Sequence, residues 1–299
     1  MDIIELLKAV LFGIVEGITE WLPISSTGHI ILLEDFMHLN ISQVFYDLFE
    51  IVIQLGAILA VIVLFFHKLN PFSPKKNTIQ KKDTWSLWFK VILAVLPSAV
   101  LGLLIDEPLD NFLRNTPVLG TNLNTVVVAL ALILYGVAFI LVEKKNAKDD
   151  FRIRDVNAID YRTALLIGAF QVLSIIPGTS RSGATILGAI LLGVGRSAGA
   201  EFSFFLAIPT MLGASALKLL KFLLDGASAT ATELGVLVVG TLVSFLVSLL
   251  VIKALMEYVR KHNFSSFGVY RIILGIVVLG YFGIRALIYI LHSGDRNYG

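Results

Sequence analysis

The sequence predicts an all-α integral membrane protein, and both its composition and its charge distribution support this fold class. Of the 299 residues, 57% are hydrophobic and 15% are charged, whereas about a quarter of the residues in a soluble domain are charged. Long uncharged stretches, such as 122–142 and 235–252, alternate with short segments that carry most of the charges. About 20 predominantly apolar residues cross the hydrocarbon core. These stretches therefore predict transmembrane helices, and a soluble globular domain is excluded.

Six segments are predicted to be full transmembrane helices: 51–66, 91–105, 122–142, 202–224, 235–252 and 269–289. The segment 67–90 holds six lysines and one aspartate, which places it in the cytoplasm by the positive-inside rule. The acidic segment 106–110 is then predicted to lie outside, together with both chain termini. Basic residues in loops are orientation signals, and with a net charge of only +2 they argue against binding of nucleic acid.

Two further apolar stretches, 3–39 and 163–195, are broken midway by proline, glycine and hydroxyl residues. The part 163–176 has 14 residues, or about 21 Å of helix, which is too short for a core of ~30 Å. Each stretch is therefore predicted to be a re-entrant helix–loop–helix hairpin. The loop orientations require the first hairpin to enter from outside and the second from inside.

The two hairpins also resemble each other in sequence. The letters GIVE and PISSTG within 13–28 align loosely with GAFQ and PGTSRSG within 168–183. Similar hairpins that enter from opposite sides are typical of an inverted repeat. We predict repeats at approximately 1–105 and 160–255 within a single membrane domain, 1–299. Chance similarity between two loops rich in glycine and serine is the alternative.

The first hairpin carries ionisable residues that are costly in a membrane and therefore indicate function. Glu16 and Glu20 are four residues apart and share one helix face, so their carboxylates repel each other unless a cation or a shared proton lies between them. Carboxylate oxygens suit a divalent cation such as Mg²⁺ or Ca²⁺. Ser26, Thr27 and His29 follow at the hairpin tip. The alternative is that both glutamates are merely solvated at the outer interface.

The tip of the second hairpin predicts a phosphate site around Arg181. A glycine-flanked loop that opens a helix offers backbone N–H groups and a positive dipole end to an anion, and the guanidinium fork suits phosphate. Alternatively, Arg181 reaches the membrane surface or pairs with a glutamate for structure. The predicted substrate-binding residues of the two tips are Thr27, Gly178, Ser180, Ser182, Gly183 and Thr185.

Together the two tips hold the inventory for phosphoryl transfer on a lipid-borne phosphate. Ser26 or His29 could attack phosphorus, with Arg181 stabilising the developing charge. We favour Ser26 as the nucleophile, Glu20 or His29 as its base, and His29 as the proton shuttle. The absence of cysteine excludes a thiol nucleophile. A secondary transporter is the main rival, because inverted repeats with broken helices are a transporter architecture.

At these residues the chain resembles the bacterial undecaprenyl-diphosphate phosphatase family associated with bacitracin resistance. The resemblance spans essentially the whole chain and is carried by EGITEWLPISSTGH (16–29) and PGTSRSGAT (177–185), with support from 49–59 and 201–209. The unrelated membrane acid phosphatases also pair Ser-Gly-His with Ser-Arg. They require a second histidine and an aspartate after the Ser-Arg element, and the segment 182–192 contains neither.

The resemblance implies hydrolysis of undecaprenyl diphosphate in the bacterial plasma membrane, with the active site towards the outer face. This reaction recycles the lipid carrier for cell-wall synthesis, and it is expected to depend on Mg²⁺ or Ca²⁺. Glu16 and Glu20 inherit the acidic-pair role, Ser26 and His29 the catalytic loop, and Arg181 the phosphate clamp. The expected partners are the lipid substrate, membrane lipid and a second copy of the chain, without nucleic acid.

The predicted orientation can be tested with single cysteines, because the chain contains none of its own. The cysteine of the Lys75→Cys variant should react with an impermeant maleimide only after the cells are permeabilised, since the lysine-rich segment is predicted to lie in the cytoplasm. Asp110→Cys is the matched control and should react in intact cells. Labelling of the Lys75→Cys variant in intact cells would contradict the orientation.

Overall fold

The computed structural model describes residues 2–118, 121–148, 150–224, 226 and 228–294. A short antiparallel pair, β1 (Pro117–Val118) and β2 (Thr121–Asn122), precedes α6, and 3-10 helices cover Val156–Ala158 and Val172–Ile175. Residues 295–299 lie outside the described part of the chain, and with them the predicted outer position of the C-terminus. The α-helices are α1 (Ile3–Thr19), α2 (Ser26–Phe36), α3 (Gln43–Leu64), α4 (Phe66–Leu69), α5 (Thr78–Asn115), α6 (Leu123–Lys145), α7 (Tyr161–Gln171), α8 (Arg181–Leu191), α9 (Arg196–Leu224), α10 (Ala231–Lys261) and α11 (Ser265–Gly294).

The all-α integral membrane class is confirmed. Among the described residues, six helices are long and apolar enough to cross a membrane, namely α3, α5, α6, α9, α10 and α11. Their most apolar windows have mean hydropathy values from 1.6 to 2.8. Each overlaps one of the six predicted spans over most of its length, so the number and order of the spans were correct.

The second predicted span, 91–105, lies within a helix that is much longer than the span. Helix α5 has 38 residues, or about 57 Å, and takes in much of the lysine-rich segment and all of the acidic segment 106–110. It begins early because Asn77 and Gln80 form a capping box at its N-terminus. It continues through the acidic segment, where Arg114 donates to Asp110 over 2.7 Å, a spacing that supports a helix. Charged residues end the membrane-buried part of this helix but not the helix itself.

The two broken stretches are interrupted where the sequence predicted. Residues 20–25 join α1 to α2, and residues 176–180 lead into α8 after the 3-10 helix Val172–Ile175. Helices α2, α7 and α8 have 11 residues each, about 16 Å, which is shorter than the hydrocarbon core. That each hairpin returns to the side from which it enters stays a prediction.

The packing of the helices brings the two hairpin tips together. Helix α1 packs along α10, α7 along α5, and α6 along α11. Glycines allow the closest approaches: a Cβ at Gly13 would lie 2.6 Å from the Gly240 carbonyl oxygen of α10, and one at Gly168 would lie 2.0 Å from the Ala94 carbonyl oxygen of α5. These contacts hold the first helix of each hairpin beside a long span, with its broken end directed into the protein.

Candidate active site

The first tip places two carboxylates and a serine at the junction of α1 and α2. Glu16 lies in the last turn of α1 and is 2% exposed, and Glu20 caps the helix C-terminus. Ser25 then adopts a positive φ of 72°, which turns the chain sharply before α2 begins at Ser26. The Ser26 hydroxyl donates to Glu20 Oε2 over 3.2 Å. Ser26 therefore lies at a helix N-terminus, beside a carboxylate that can accept its proton.

The second tip has the same local backbone. Ser180 has a φ of 67° and immediately precedes α8, which begins at Arg181. The Ser180 hydroxyl accepts from the Gly183 N–H over 3.1 Å, which is the usual contact of a helix N-cap. Each tip thus presents the N-terminus of an 11-residue helix behind a serine with positive φ.

The two tips meet at Glu20. Arg181 Nη2 donates to Glu20 Oε1 over 3.2 Å, while Ser26 holds the other carboxylate oxygen. The Ser182 hydroxyl, which is buried, lies 3.2 Å from the Glu20 carbonyl oxygen and 3.3 Å from that of Leu22. One carboxylate therefore connects the predicted nucleophile of the first hairpin with the predicted phosphate clamp of the second.

Arg181 has N–H donors that are not used by protein acceptors. Its Nη1 donates to the Ser203 carbonyl over 2.9 Å, and its guanidinium lies 5.9 Å from the centre of the Trp21 ring. The Nε–H is buried and has no hydrogen-bond partner in the described part of the chain. Because a guanidinium has five N–H donors, the contacts to Glu20 and Ser203 leave capacity for a phosphate.

The predicted substrate-binding residues divide into two groups. Thr27 is exposed at the first tip. Ser182 and Thr185 are buried, and Thr185 Oγ1 contacts the Arg181 carbonyl at 2.9 Å and Ser203 Oγ at 2.6 Å. Both hydroxyls contact protein oxygens in this structure, and a phosphate-binding role for them stays a prediction.

Gly178, Ser180 and Gly183 shape the loop. Gly178 has a φ of 86°, which favours glycine, and Ser180 uses its hydroxyl as the helix cap. A Cβ at Gly183 would lie 2.9 Å from Arg271 Nη1. The lack of a side chain at Gly183 therefore gives room to a second arginine.

This second arginine, Arg271 of α11, was missed by the sequence analysis. It is fully buried, and it donates from Nη1 to the Pro23 carbonyl over 3.1 Å and from Nη2 to the Gly178 and Thr179 carbonyls over 2.8 and 2.9 Å. One side chain thus clamps the backbones of both tips. An arginine near the start of a predicted span was a usable signal, but it resembled an ordinary residue at the end of a helix.

His29 lies on α2 but does not contact Ser26 through a hydrogen bond in the described structure. Its Nδ1 is 2.8 Å from the Ser25 carbonyl oxygen, and its Nε2 is 2.7 Å from the hydroxyl of Tyr270. Of the two predicted bases for Ser26, only Glu20 is in contact with it. The structure therefore favours Glu20 as the base.

The residues present fit a divalent cation only as a partial site. The described residues include no group of three or more His, Cys, Asp or Glu side chains that could hold a metal ion. Glu16 Oε1, however, is buried without a hydrogen-bond partner among them, and an orphaned carboxylate oxygen is a suitable cation ligand. Glu16 and Glu20 could together hold a cation whose remaining ligands come from substrate phosphate and water.

Together the fold and this site define a polytopic membrane protein with a buried phosphate-handling centre. The chain belongs to the bacitracin resistance protein BacA family, which matches residues 9–277. A protein named undecaprenyl-diphosphatase from Enterococcus faecalis is 58% identical over 93% of this chain and 98% of its own. One of the same name from Streptococcus thermophilus is 53% identical over 95% and 96%. Undecaprenyl-diphosphatase 1 from Clostridioides difficile is 55% identical over 94% and 97%.

The clamp formed by Arg271 should contribute strongly to stability. Arg271→Met removes the donors of three buried carbonyls, and each carbonyl left unpaired should cost roughly 1–3 kcal/mol in the free energy of unfolding. Arg285→Met is a control on the same helix, because Arg285 forms an exposed pair with Asp35 and should change stability by less than about 1 kcal/mol. Unfolding is followed in mixed micelles. Equal stability of the two variants would contradict the clamp.

Proposed function

We propose that the chain hydrolyses undecaprenyl diphosphate to undecaprenyl phosphate and inorganic phosphate. The observation that carries this proposal is the Glu20 carboxylate, which contacts Ser26 on one side and Arg181 on the other. Family relatives named undecaprenyl-diphosphatase, similar over nearly the full chain, support the choice of substrate. This reaction returns the lipid carrier to cell-wall synthesis and gives resistance to bacitracin.

In the first step Ser26 Oγ attacks the terminal phosphorus. Its proton passes to Glu20, and the bond from that phosphorus to the bridging oxygen breaks, so that undecaprenyl phosphate leaves. The direct contact between Ser26 and Glu20 supports this order of events. Direct attack by His29 is the rival route, and it would leave the Ser26–Glu20 contact without a chemical task.

In the second step water hydrolyses the phosphoserine. The bond between phosphorus and Ser26 Oγ breaks, and Glu20 returns its proton to that oxygen. His29, three residues after Ser26 on the same helix, is a neighbour on that helix surface and takes the proton of the water. Inorganic phosphate is released, and the enzyme regains its starting state once His29 loses this proton to solvent.

Charge stabilisation comes from both tips. Arg181 has spare N–H donors for the transferring phosphate, and the N-termini of α2 and α8 add backbone N–H groups and favourable dipole ends. A divalent cation held by Glu16 and Glu20 would neutralise charge on the diphosphate. Mg²⁺ and Ca²⁺ are both suited to these oxygen ligands.

The proposal includes the architecture in which the site is built. We infer an inverted repeat at approximately 1–105 and 160–255, in which α1, α2, α3 and α5 correspond to α7, α8, α9 and α10. Two observations support it: α1 packs on α10 as α7 packs on α5, and Ser25 and Ser180 share their unusual backbone. The proposal also places the protein in the plasma membrane with the site towards the outer face, as the family resemblance implies, and a homodimer stays a prediction.

The role of Glu20 predicts the result of an assay with a polyprenyl diphosphate. Purified Glu20→Gln should lose most phosphate release while remaining folded, since it loses the base and one cation ligand, and excess chelator should inactivate the wild type. Glu107→Gln, on the exposed end of α5, is the acidic control and should remain active. Full activity of Glu20→Gln, or of wild type with chelator, would refute this role. If the purified wild type transports the lipid but releases no phosphate, the result would instead indicate a transporter.

The role of Ser26 predicts that Ser26→Ala abolishes turnover rather than substrate binding, with a loss of about 10³-fold or more in kcat. Thr27→Ala, at the next residue, should mainly raise KM because Thr27 is proposed only as a phosphate-binding residue. The covalent intermediate can be trapped by rapid acid quench and located by peptide mass spectrometry. A phosphohistidine at position 29, or substantial turnover of Ser26→Ala, would reverse the assignment.

A further inference from the structure

The imidazole of His29 is held from both sides. Its Nδ1 faces the Ser25 carbonyl oxygen at 2.8 Å, and its Nε2 faces the Tyr270 hydroxyl at 2.7 Å. The two rings are nearly parallel, with an interplanar angle of 8° and centroids 5.6 Å apart. Tyr270 lies 241 residues away in the chain, on α11, so this contact exists only in the folded protein.

These partners determine which nitrogen of the neutral ring carries the proton. A carbonyl oxygen only accepts hydrogen bonds, so Nδ1 must be protonated to bond with Ser25. Nε2 is then the unprotonated nitrogen, and the Tyr270 hydroxyl donates to its lone pair. The tautomer is therefore fixed by one group on the first tip and one group on α11.

The contact belongs to a larger connection between α11 and the tips. The next residue, Arg271, clamps the backbones of both tips. Tyr270 is 43% exposed, so the burial of its ring alone does not explain its placement. Two consecutive residues of α11 thus hold the loops in register and hold the imidazole in a single orientation.

We propose that Tyr270 is a positioning residue for His29. The Ser25 carbonyl keeps the proton on Nδ1, and the Tyr270 hydroxyl donates to Nε2 and holds the imidazole in one orientation until water takes its place. The proposal rests on the proposed function, because the task of Nε2 is to accept the proton of the water that hydrolyses phosphoserine. Tyr270 acts only through His29 and exchanges no proton with the substrate or the water.

The main test compares Tyr270→Phe with Tyr281→Phe. Both changes remove a hydroxyl from α11 that contacts the α2 segment, but the Tyr281 hydroxyl donates to Asp35 and not to His29. Tyr270→Phe keeps the ring and should lower kcat roughly 10–100-fold with little change in KM, since misplacement of a reacting group acts mainly on the chemical step. Tyr281→Phe should keep wild-type kinetics.

A second readout reports on the nitrogen itself. Diethyl pyrocarbonate acylates unprotonated imidazole nitrogen, and the labelled site is located by peptide mass spectrometry. His29 should react faster in Tyr270→Phe than in wild type, because the hydroxyl no longer covers Nε2. The exposed histidines His38, His67 and His262 serve as internal references and should react at unchanged rates.

A lower kcat without faster labelling of His29 would overturn the proposal, because Tyr270 would then act on the fold. Faster labelling with unchanged kcat would overturn it as well. A wild-type protein that labels as expected but releases no phosphate would refute the proposed function and leave the contact established. If Tyr270→Phe does not fold, nitrogen-15 spectra of wild type still decide, with His29→Gln used for assignment. A proton found on Nε2 instead of Nδ1 in the neutral ring would overturn the proposal.

Discussion

The site depends on one constraint: an ionised side chain inside a membrane must find a partner of opposite charge or a set of hydrogen bonds. Glu20 meets this requirement only because the second hairpin delivers Arg181 to it. Without Arg181, the first tip would hold two neighbouring carboxylates with no compensating cation from the protein. Without Glu20, Arg181 would be a buried guanidinium that faces one carbonyl oxygen, that of Ser203, and the Trp21 ring. The two hairpins therefore stabilise each other through the same groups that are arranged for chemistry.

The irregular backbone of the tips imposes a second constraint. A loop at membrane depth exposes carbonyls that neither a helix nor water satisfies. Arg271 supplies donors for the carbonyls of Pro23, Gly178 and Thr179, and as a permanently charged, planar donor it serves several acceptors at once. This arrangement buries a cation fully, which is unfavourable. Three carbonyl acceptors and the Tyr135 ring, whose centre lies 5.5 Å away, offset the unfavourable free energy of burial. The interruptions in the two hairpins are therefore tolerated because Arg271 of α11 donates hydrogen bonds to the carbonyls that the interruptions leave unpaired.

Sequence reasoning identifies residues and segments that are conspicuous in a membrane. Glu16, Glu20 and Arg181 stand out because charges are rare in apolar stretches, and the six spans follow from hydropathy alone. The sequence analysis missed features that depend on tertiary structure. The length of α5 was missed because hydropathy ends at Asp106 although the helix does not, and Arg271 lies 93 and 248 residues from the backbones that it clamps. Ser182 and Thr185 have the residue types of phosphate ligands, and only the fold shows that they face protein atoms.

Ser25 and Ser180 show why the tips are built from serine and not from glycine alone. A positive φ in a residue other than glycine costs of order 1–3 kcal/mol and persists only where the surroundings enforce it. The Ser180 hydroxyl offsets part of this strain energy because it accepts a hydrogen bond from the Gly183 N–H, which a glycine at position 180 could not do. At Ser25 the carbonyl turns towards His29 Nδ1 and fixes the imidazole. The same strained turn therefore caps the helix that carries the phosphate clamp in one hairpin and orients the histidine in the other. This shared backbone with different side-chain contacts supports the proposed repeat, in which only the first copy carries the proposed nucleophile.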